Sequence, residues 1–164
     1  MATDKAKLFD RLVRRAREAE TETGPDLDEL AAELVAVMTP KEKIGQMSGQ
    51  ATRLDVAVML VRYNLTTYDA GGNRRLGIPP IRFTDGPRGI TVGRSTCFPA
   101  AIARGATWNP DLEEQIGAAL GREARAQGAN FFGGVCVNVL RHPGWGRAQE
   151  TYGEDPHLLG EMGA

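Results

Sequence analysis

Ile81-Arg82-Phe83-Thr84-Asp85-Gly86-Pro87-Arg88-Gly89 is a short β-prone run that stops abruptly at a strong turn signal. Gly77-Ile78-Pro79-Pro80 leads the chain into it, so the run reads as one strand with breakers on both sides. Asp85 then falls at the carboxyl end of that strand. In parallel α/β sheets and barrels this is the end where ligands bind.

Downstream, Ala101-Ile102-Ala103, between Phe98-Pro99 and Gly105-Ala106-Thr107-Trp108, gives a second short strand signal. A clear helix entrance follows: Asn109 as cap, Pro110 at the first helical position, and Asp111, Glu113 and Glu114 complementing the dipole. Its buried stripe is Leu112, Ile116, Ala119, Leu120 and Ala124, and Gly128 ends it. Val135-Cys136-Val137-Asn138-Val139-Leu140 is nearly continuous and β-branched, as expected of a parallel strand covered on both faces. Strands near 81, 101 and 135 with helices between them make a β-α-β-α register.

Upstream the pattern is helical. Leu8, Leu12 and Ala16 form a narrow stripe among Arg and Glu, and Gly24-Pro25 breaks it. Asp26 and Asp28 open a second helix with Leu27, Leu30, Leu34 and Val37 as its buried face. Thr39, Pro40 and Glu42 spell a capping box, with Ile44 and Met47 expected inward. Val56, Met59 and Leu60 suit a short helix, and Asp69-Ala70-Gly71-Gly72-Asn73 reads as loop.

The chain has 164 residues, with 20 Lys and Arg against 21 Asp and Glu, a net charge of -1. That balance argues against nucleic acid or an anionic membrane as partner. The length suits one domain and falls short of an eight-unit α/β barrel, which takes about 250 residues. The start Met1 to Lys7 is polar and carries no apolar signal region, and no apolar run approaches the roughly 20 residues of a membrane span. A cytoplasmic location is the expectation. Cys97 and Cys136 lie in separate apolar segments and are expected as buried small hydrophobes rather than a disulfide.

The loop Arg141-His142-Pro143-Gly144-Trp145-Gly146-Arg147-Ala148-Gln149-Glu150-Thr151-Tyr152-Gly153-Glu154-Asp155-Pro156 concentrates arginines, carboxylates, aromatics and glycines just past the third strand signal. Arg147 and Glu150, three apart, are expected to pair and hold the loop. Asp155 is expected to cap a last helix, with Pro156 at its first position and Leu158 and Leu159 inside. Glu154 and Asp155 are therefore poor catalytic acids, because adjacent residues do not face one pocket. Trp145 suits either a flat face on which a ligand stacks or a lid on the core. His142 and His157 lack metal spacing, and Gly71-Gly72 and Gly133-Gly134 match no dinucleotide or phosphate fingerprint, so no metal or cofactor is implied.

Four landmarks occur in order: Thr39 to Met47, Phe83 to Gly89, Cys97-Phe98-Pro99-Ala100 to Thr107-Trp108-Asn109, and Arg141 to Pro156. Together they resemble glycoside hydrolase family 3 over about residues 38 to 164, with residues 1 to 37 as a helical N-terminal extension. The Gly146-Arg147, Glu150 and Gly153-Glu154-Asp155-Pro156 pattern is similar to the β-glucosidase and β-xylosidase type rather than the β-N-acetylhexosaminidase type.

The resemblance implies an α/β fold, an incomplete (β/α)8 TIM-type barrel comprising about the first three strand-helix units preceded by helices. It implies retaining hydrolysis of terminal β-linked glucose or xylose in a parent protein. Such chemistry needs a carboxylate nucleophile and a carboxylic acid about 5 Å apart. In the family the nucleophile and the acid come later in the chain, as does a Lys-His sugar-binding pair. No catalytic residue is therefore assigned among these 164, and the chain alone is expected to be inactive.

Two sugar ligands carry over by position. Asp85 matches the aspartate that accepts from sugar hydroxyls; the plainer reading is a turn-forming Asp bonding its own backbone. Arg141 matches the arginine that donates to the same sugar; the plainer reading is a strand-end ion pair. The expected partner is a small β-glycoside or monosaccharide, with the rest of the barrel or another chain also possible. A non-catalytic sugar-binding or structural fragment is the alternative. A barrel enzyme for a phosphorylated metabolite is disfavoured for want of a phosphate nest.

Overall fold

A computed structural model describes residues 2–18, 27–49, 52–61 and 64–164. The sequence signals at Gly24-Pro25 and Asp26, and the side chains of Ala16 and Met59, lie outside what it describes. In chain order the elements are α1 (Ala2–Glu18), α2 (Leu27–Ala36), α3 (Pro40–Gln46), α4 (Arg53–Val61), β1 (Tyr68–Ala70), β2 (Ile81–Thr84), α5 (Ala101–Gly105), α6 (Pro110–Ala126), β3 (Phe131–Phe132) and α7 (Pro156–Gly163). The backbone divides into two compact units, residues 1–53 with 68–81, and residues 54–67 with 82–164.

In the first unit, Leu12 of α1 and Leu30 of α2 are buried, and Arg15 pairs with Glu33 at 2.8 Å between the two helices. Leu34 is half-buried, but Leu27 and Val37 are exposed, so the α2 stripe is narrower than its leucines suggest. The α3 capping box forms as read: Glu42 N donates to Thr39 Oγ1, and Thr39 N donates to Glu42 Oε2 at 2.8 Å.

The inward face expected of α3 is overturned. Ile44 and Met47 are 62% and 81% exposed. Arg75 Nε donates to Glu42 Oε1 at 2.6 Å, and the half-buried residues are Glu42, Gly45 and Gln46, one helical face. An ion pair, not an apolar stripe, sets the rotation of this helix. The loop expected at residues 69–73 is also partly wrong, since Tyr68–Ala70 is strand and Ala70 bridges to Gly49. The turn begins only at Gly71, which has φ +69°.

The second unit holds the α/β core. From Arg82 onward β2 belongs to it, and β3 pairs with β2 in parallel, Phe83 opposite Phe131 and Thr84 opposite Phe132. Ile90, Val92, Leu120, Ala124 and Ala129 form one apolar cluster, flanked by Phe98, Ile116 and Phe132. Ala101, Tyr152, Leu158, Leu159 and Met162 form another. Helix α6 carries the predicted cap, Asn109 Oδ1 accepting from Leu112 N at 3.1 Å, and turns out of helix at Gly128 with φ +84°. Its stripe is corrected at one end, where Leu112 is 38% exposed and Glu113 is buried in its place.

Two strand expectations fail. Residues 101–103 are the first turn of α5, not strand. The run is alanine-rich and is followed by Arg104, good helix formers, and Arg104 is buried at its far end by partners described below. The predicted strand at 135–140 is displaced upstream to Phe131–Phe132. Asn130 fixes the register: its N–H donates to Arg82 O at 3.0 Å and its Oδ1 accepts from Arg82 N at 2.6 Å. Gly133 N then donates to Thr84 O at 2.9 Å, after which β2 has already turned away at Asp85. Residues 135–140 run on without a ladder, and Val135, Val137 and Val139 are exposed.

Candidate functional site

The turn after β2 is built on two glycines. Gly86 has φ +127°, and a Cβ there would sit 1.8 Å from Gly89 O; Gly89 has φ +145°, and a Cβ there would sit 2.1 Å from Thr96 O. Only glycine accepts that backbone. The turn closes with Thr91 N donating to Asp85 O at 3.1 Å. Asp85 is exposed at the carboxyl end of β2, as the sequence predicted. Its Oδ1 accepts from Gly86 N at 2.8 Å, while Oδ2 takes no hydrogen bond among the described residues. One oxygen thus serves the turn and the other stays open.

The segment leaving β3 passes directly beside this turn. A Cβ on Gly134 would lie 2.6 Å from Gly86 O, so the two backbones touch. Two residues further on, Cys136 Sγ lies 3.6 Å from Glu150 Oε2, and Arg147 Nη2 lies 3.8 Å from the same sulfur. Arg147 Nε donates to Glu150 Oε2 at 2.9 Å, and Nη2 donates to that oxygen too. The expected loop pair is therefore present. Thr151, fully buried, ties the end of the loop back by donating from Oγ1 to Asn138 O at 2.8 Å.

These charges act on one another. Arg147 holds the Glu150 carboxyl below its ordinary range, and Glu150 raises Arg147, with smaller contributions from Cys136 and Asp85. Burial first and Glu150 second push the Cys136 thiol up, and Asp85 adds to the effect. Asp85, Cys136, Arg147 and Glu150 thus form one electrostatic neighbourhood at the strand ends. Arg141 is exposed, and its guanidinium makes no hydrogen bond or ion pair among the described residues, with Asp85 or any other group. Of the two positions assigned as sugar ligands, Asp85 directly follows β2, whereas Arg141 follows residues 135–140, which form no strand, and no direct contact joins the two.

Behind the turn lies a network the sequence reading missed. Arg104 of α5 donates through Nη2 to Pro87 O at 2.8 Å, inside the Asp-Gly-Pro turn, and its Nη1 lies 3.2 Å from Glu113 Oε1 of α6. Tyr152, at the end of the arginine-rich loop, donates to the same Glu113 oxygen at 2.7 Å, and its ring stands 5.6 Å from the Arg104 guanidinium. Burial and Glu113 push the Tyr152 hydroxyl well above the ordinary phenol range. A signal was available: a lone Arg inside an Ala- and Gly-rich run, four residues ahead of a Trp-Asn-Pro helix start. The strand-like pattern of Ala101-Ile102-Ala103 masks it.

The remaining residues fall as follows. Asp155 Oδ1 accepts from Leu158 N at 2.9 Å and caps α7, as expected. His142 is exposed and its Nδ1 accepts from Gly144 N at 3.0 Å; His157 is exposed beside Glu161. Trp145 is half-buried. The expectation of two buried cysteines is corrected, because Cys97 is exposed and Cys136 half-buried, both free thiols; Cys97 lies in irregular chain beside Gly89, and Cys136 packs against the charged Arg147–Glu150 pair rather than in an apolar cluster. No group of His, Cys, Asp and Glu among the described residues could hold a metal ion, and no described helix is long and apolar enough to cross a membrane.

Fold and site together define an α/β protein with an acidic strand-end turn set against an arginine-bearing loop. The chain belongs to glycoside hydrolase family 3: the profile of the Glycosyl hydrolase family 3 N terminal domain matches residues 26–164. It is 37% identical over 131 residues to a probable beta-glucosidase H of Aspergillus fumigatus, covering 76% of this chain and 16% of that protein. It is 39% identical over 128 residues to a beta-glucosidase of Rhizobium radiobacter, covering 74% and 14%. Beta-glucosidase 3B of Thermotoga neapolitana, solved in complex with glucose, superposes with a TM-score of 0.67 at 28% identity, covering 80% of this chain and 20% of that one. The chain thus spans a fifth or less of the length of these relatives.

Proposed function

We propose that this chain forms the opening strand-helix units of a (β/α)8 barrel in a retaining β-glycosidase acting on terminal β-linked glucose or xylose, and that it carries part of the site for the non-reducing sugar. In this reading Asp85 accepts hydrogen bonds from ring hydroxyls and Arg141 donates to the same sugar. The observation that carries it is the Asp85 carboxylate, exposed at the carboxyl end of β2 with one oxygen anchored to Gly86 N and the other without a hydrogen bond among the described residues. An anchored carboxylate is pre-organised, so ordering it on binding costs little.

The parent reaction passes through a covalent glycosyl-enzyme, with one carboxylate as nucleophile and one carboxyl as acid about 5 Å apart. In the proposed assignment neither is among these 164 residues, so the chain alone binds sugar without hydrolysing it. Calorimetric titration of the chain with glucose tests the site: binding that is lost in Asp85→Ala supports it, and binding indifferent to that change refutes it. Assay on an aryl β-glucoside tests the division of labour. Robust hydrolysis abolished by changing a residue of this chain would show that the bond-breaking groups are here after all.

A further inference from the structure

We propose that Arg147 is a second guanidinium of the sugar site, donating through Nη1 to a hydroxyl of the ring whose neighbouring hydroxyl Asp85 accepts from, while Glu150 and Cys136 fix its opposite face. This rests on the reading of Asp85 as a sugar ligand and adds a residue that the family resemblance did not assign as a ligand.

The argument starts from how the fork is used. A guanidinium that only locks a loop is best satisfied by two parallel bonds to both oxygens of a carboxylate. Here Nε and Nη2 converge on a single oxygen, Glu150 Oε2, and Nη2 also reaches Cys136 Sγ. Nη1 has no acceptor among the described residues, on a side chain 61% exposed to solvent. Two N–H donors are thus held in place and left open.

Their placement follows from the backbone. Gly134 presses against Gly86, the residue after Asp85, and Cys136 lies two residues beyond Gly134. Arg147 bonded to that thiol is therefore drawn toward the turn that carries Asp85. The Asp85 charge contributes to raising both Arg147 and Cys136, in keeping with this proximity. Arg141 offers the contrast: it is exposed and unanchored among the described residues, so it must be ordered when it binds. An arginine already fixed through Glu150 gives up less conformational freedom per hydrogen bond.

A neutral pyranose supplies the matching chemistry. One hydroxyl donates to the free Asp85 oxygen, and its neighbour accepts from Nη1. A carboxylate beside a fixed cation suits such a pair of hydroxyls better than it suits an anion, which Asp85 would repel.

The test is calorimetric titration of the full chain with glucose and with the 2-, 3-, 4- and 6-deoxyglucoses, for wild type, Arg147→Met and Glu150→Gln. Arg147→Met is expected to weaken glucose binding at least about tenfold. With one of the deoxyglucoses, the one lacking the hydroxyl that Arg147 holds, wild type and variant should bind alike. Glu150→Gln, which loosens the anchor, should give a smaller loss with the same deoxyglucose pattern. Equal loss for every sugar would mean that Arg147 only supports the loop, and no loss would exclude contact; either overturns the proposal. If Arg147→Met does not fold, Arg147→Lys keeps the charge and the tie to Glu150 but loses the fork, and is read in the same way. Asp85→Ala separates the two readings: sensitivity to it with indifference to Arg147 leaves the sugar site standing and removes only Arg147.

Discussion

Arg104 and Glu113 face each other at 3.2 Å with side chains only 5% and 9% exposed, and between them they hold both walls of the candidate site. Arg104 grips the Pro87 carbonyl of the Asp85 turn, and Glu113 accepts from Tyr152 at the end of the arginine-rich loop. The pair is not fully satisfied, since Arg104 Nε and Nη1 and Glu113 Oε2 are buried without a hydrogen bond among the described residues. Its contribution lies in fixing two loops relative to one another more than in net stability.

Removing one partner strands the other's charge. Arg104→Met and Glu113→Gln are each expected to lower the free energy of unfolding by about 3 kcal/mol in urea denaturation. The double change Arg104→Met with Glu113→Gln should cost clearly less than the sum of its parts, because it leaves no buried charge behind. Strict additivity would mean that the two side chains do not act as a pair.

The turn that presents Asp85 depends on its glycines, whereas Gly146 of the arginine-bearing loop does not need to be one. Gly86→Ala combines φ +127° with a Cβ 1.8 Å from Gly89 O, whereas a Cβ on Gly146, in the facing loop, meets nothing within 4 Å. Gly86→Ala should destabilise the chain by about 2 kcal/mol or more, and Gly146→Ala by well under 1 kcal/mol, in thermal or urea unfolding. Similar losses at both would contradict the turn geometry.

The α3 cap should respond to acid in a defined direction. Arg75 first, and the Thr39 backbone second, hold the Glu42 carboxyl well below the usual carboxylate range. A carboxyl depressed in the folded state contributes stability at pH values above its unfolded pKa, near 4.3, and that contribution is lost progressively as pH falls toward the folded value. The Thr39 amide resonance, whose N–H donates to Glu42, should therefore hold its position through pH 4 and move only in stronger acid. In Glu42→Gln it should not titrate at all. A midpoint near 4.3 in the unmodified protein would show that the Arg75 pairing does not persist in solution.

Local chemistry was legible in the sequence wherever a residue acts on its own neighbours. Thr39, Asn109 and Asp155 cap the helices they were expected to cap, and Asp85 ends the strand it was expected to end. What could not be read depends on long-range partners. The Asn130 bonds to Arg82 set where the parallel ladder begins, and no period in Val135 to Leu140 records that. Glu113 looks like a dipole charge until Arg104 and Tyr152 arrive from elsewhere in the chain. Arg141 was singled out by position in a motif, yet the arginine that the fold ties into the Asp85 neighbourhood is Arg147.

The two thiols should report on that neighbourhood separately. Cys97 is exposed, whereas Cys136 is half-buried, and burial and the Glu150 carboxylate push its thiol above the ordinary range. The thiolate is the reactive form, so at pH 8 Cys97 should be modified first by a disulfide reagent and Cys136 distinctly later. Glu150→Gln removes the carboxylate's share of that rise and should speed Cys136. Arg147→Met removes a charge that favours the thiolate and should slow it further. Mass spectrometry of the two cysteine peptides over a time course follows each site. Equal rates at both, or no response of Cys136 to either change, would mean that the cluster beside Asp85 is not assembled in solution.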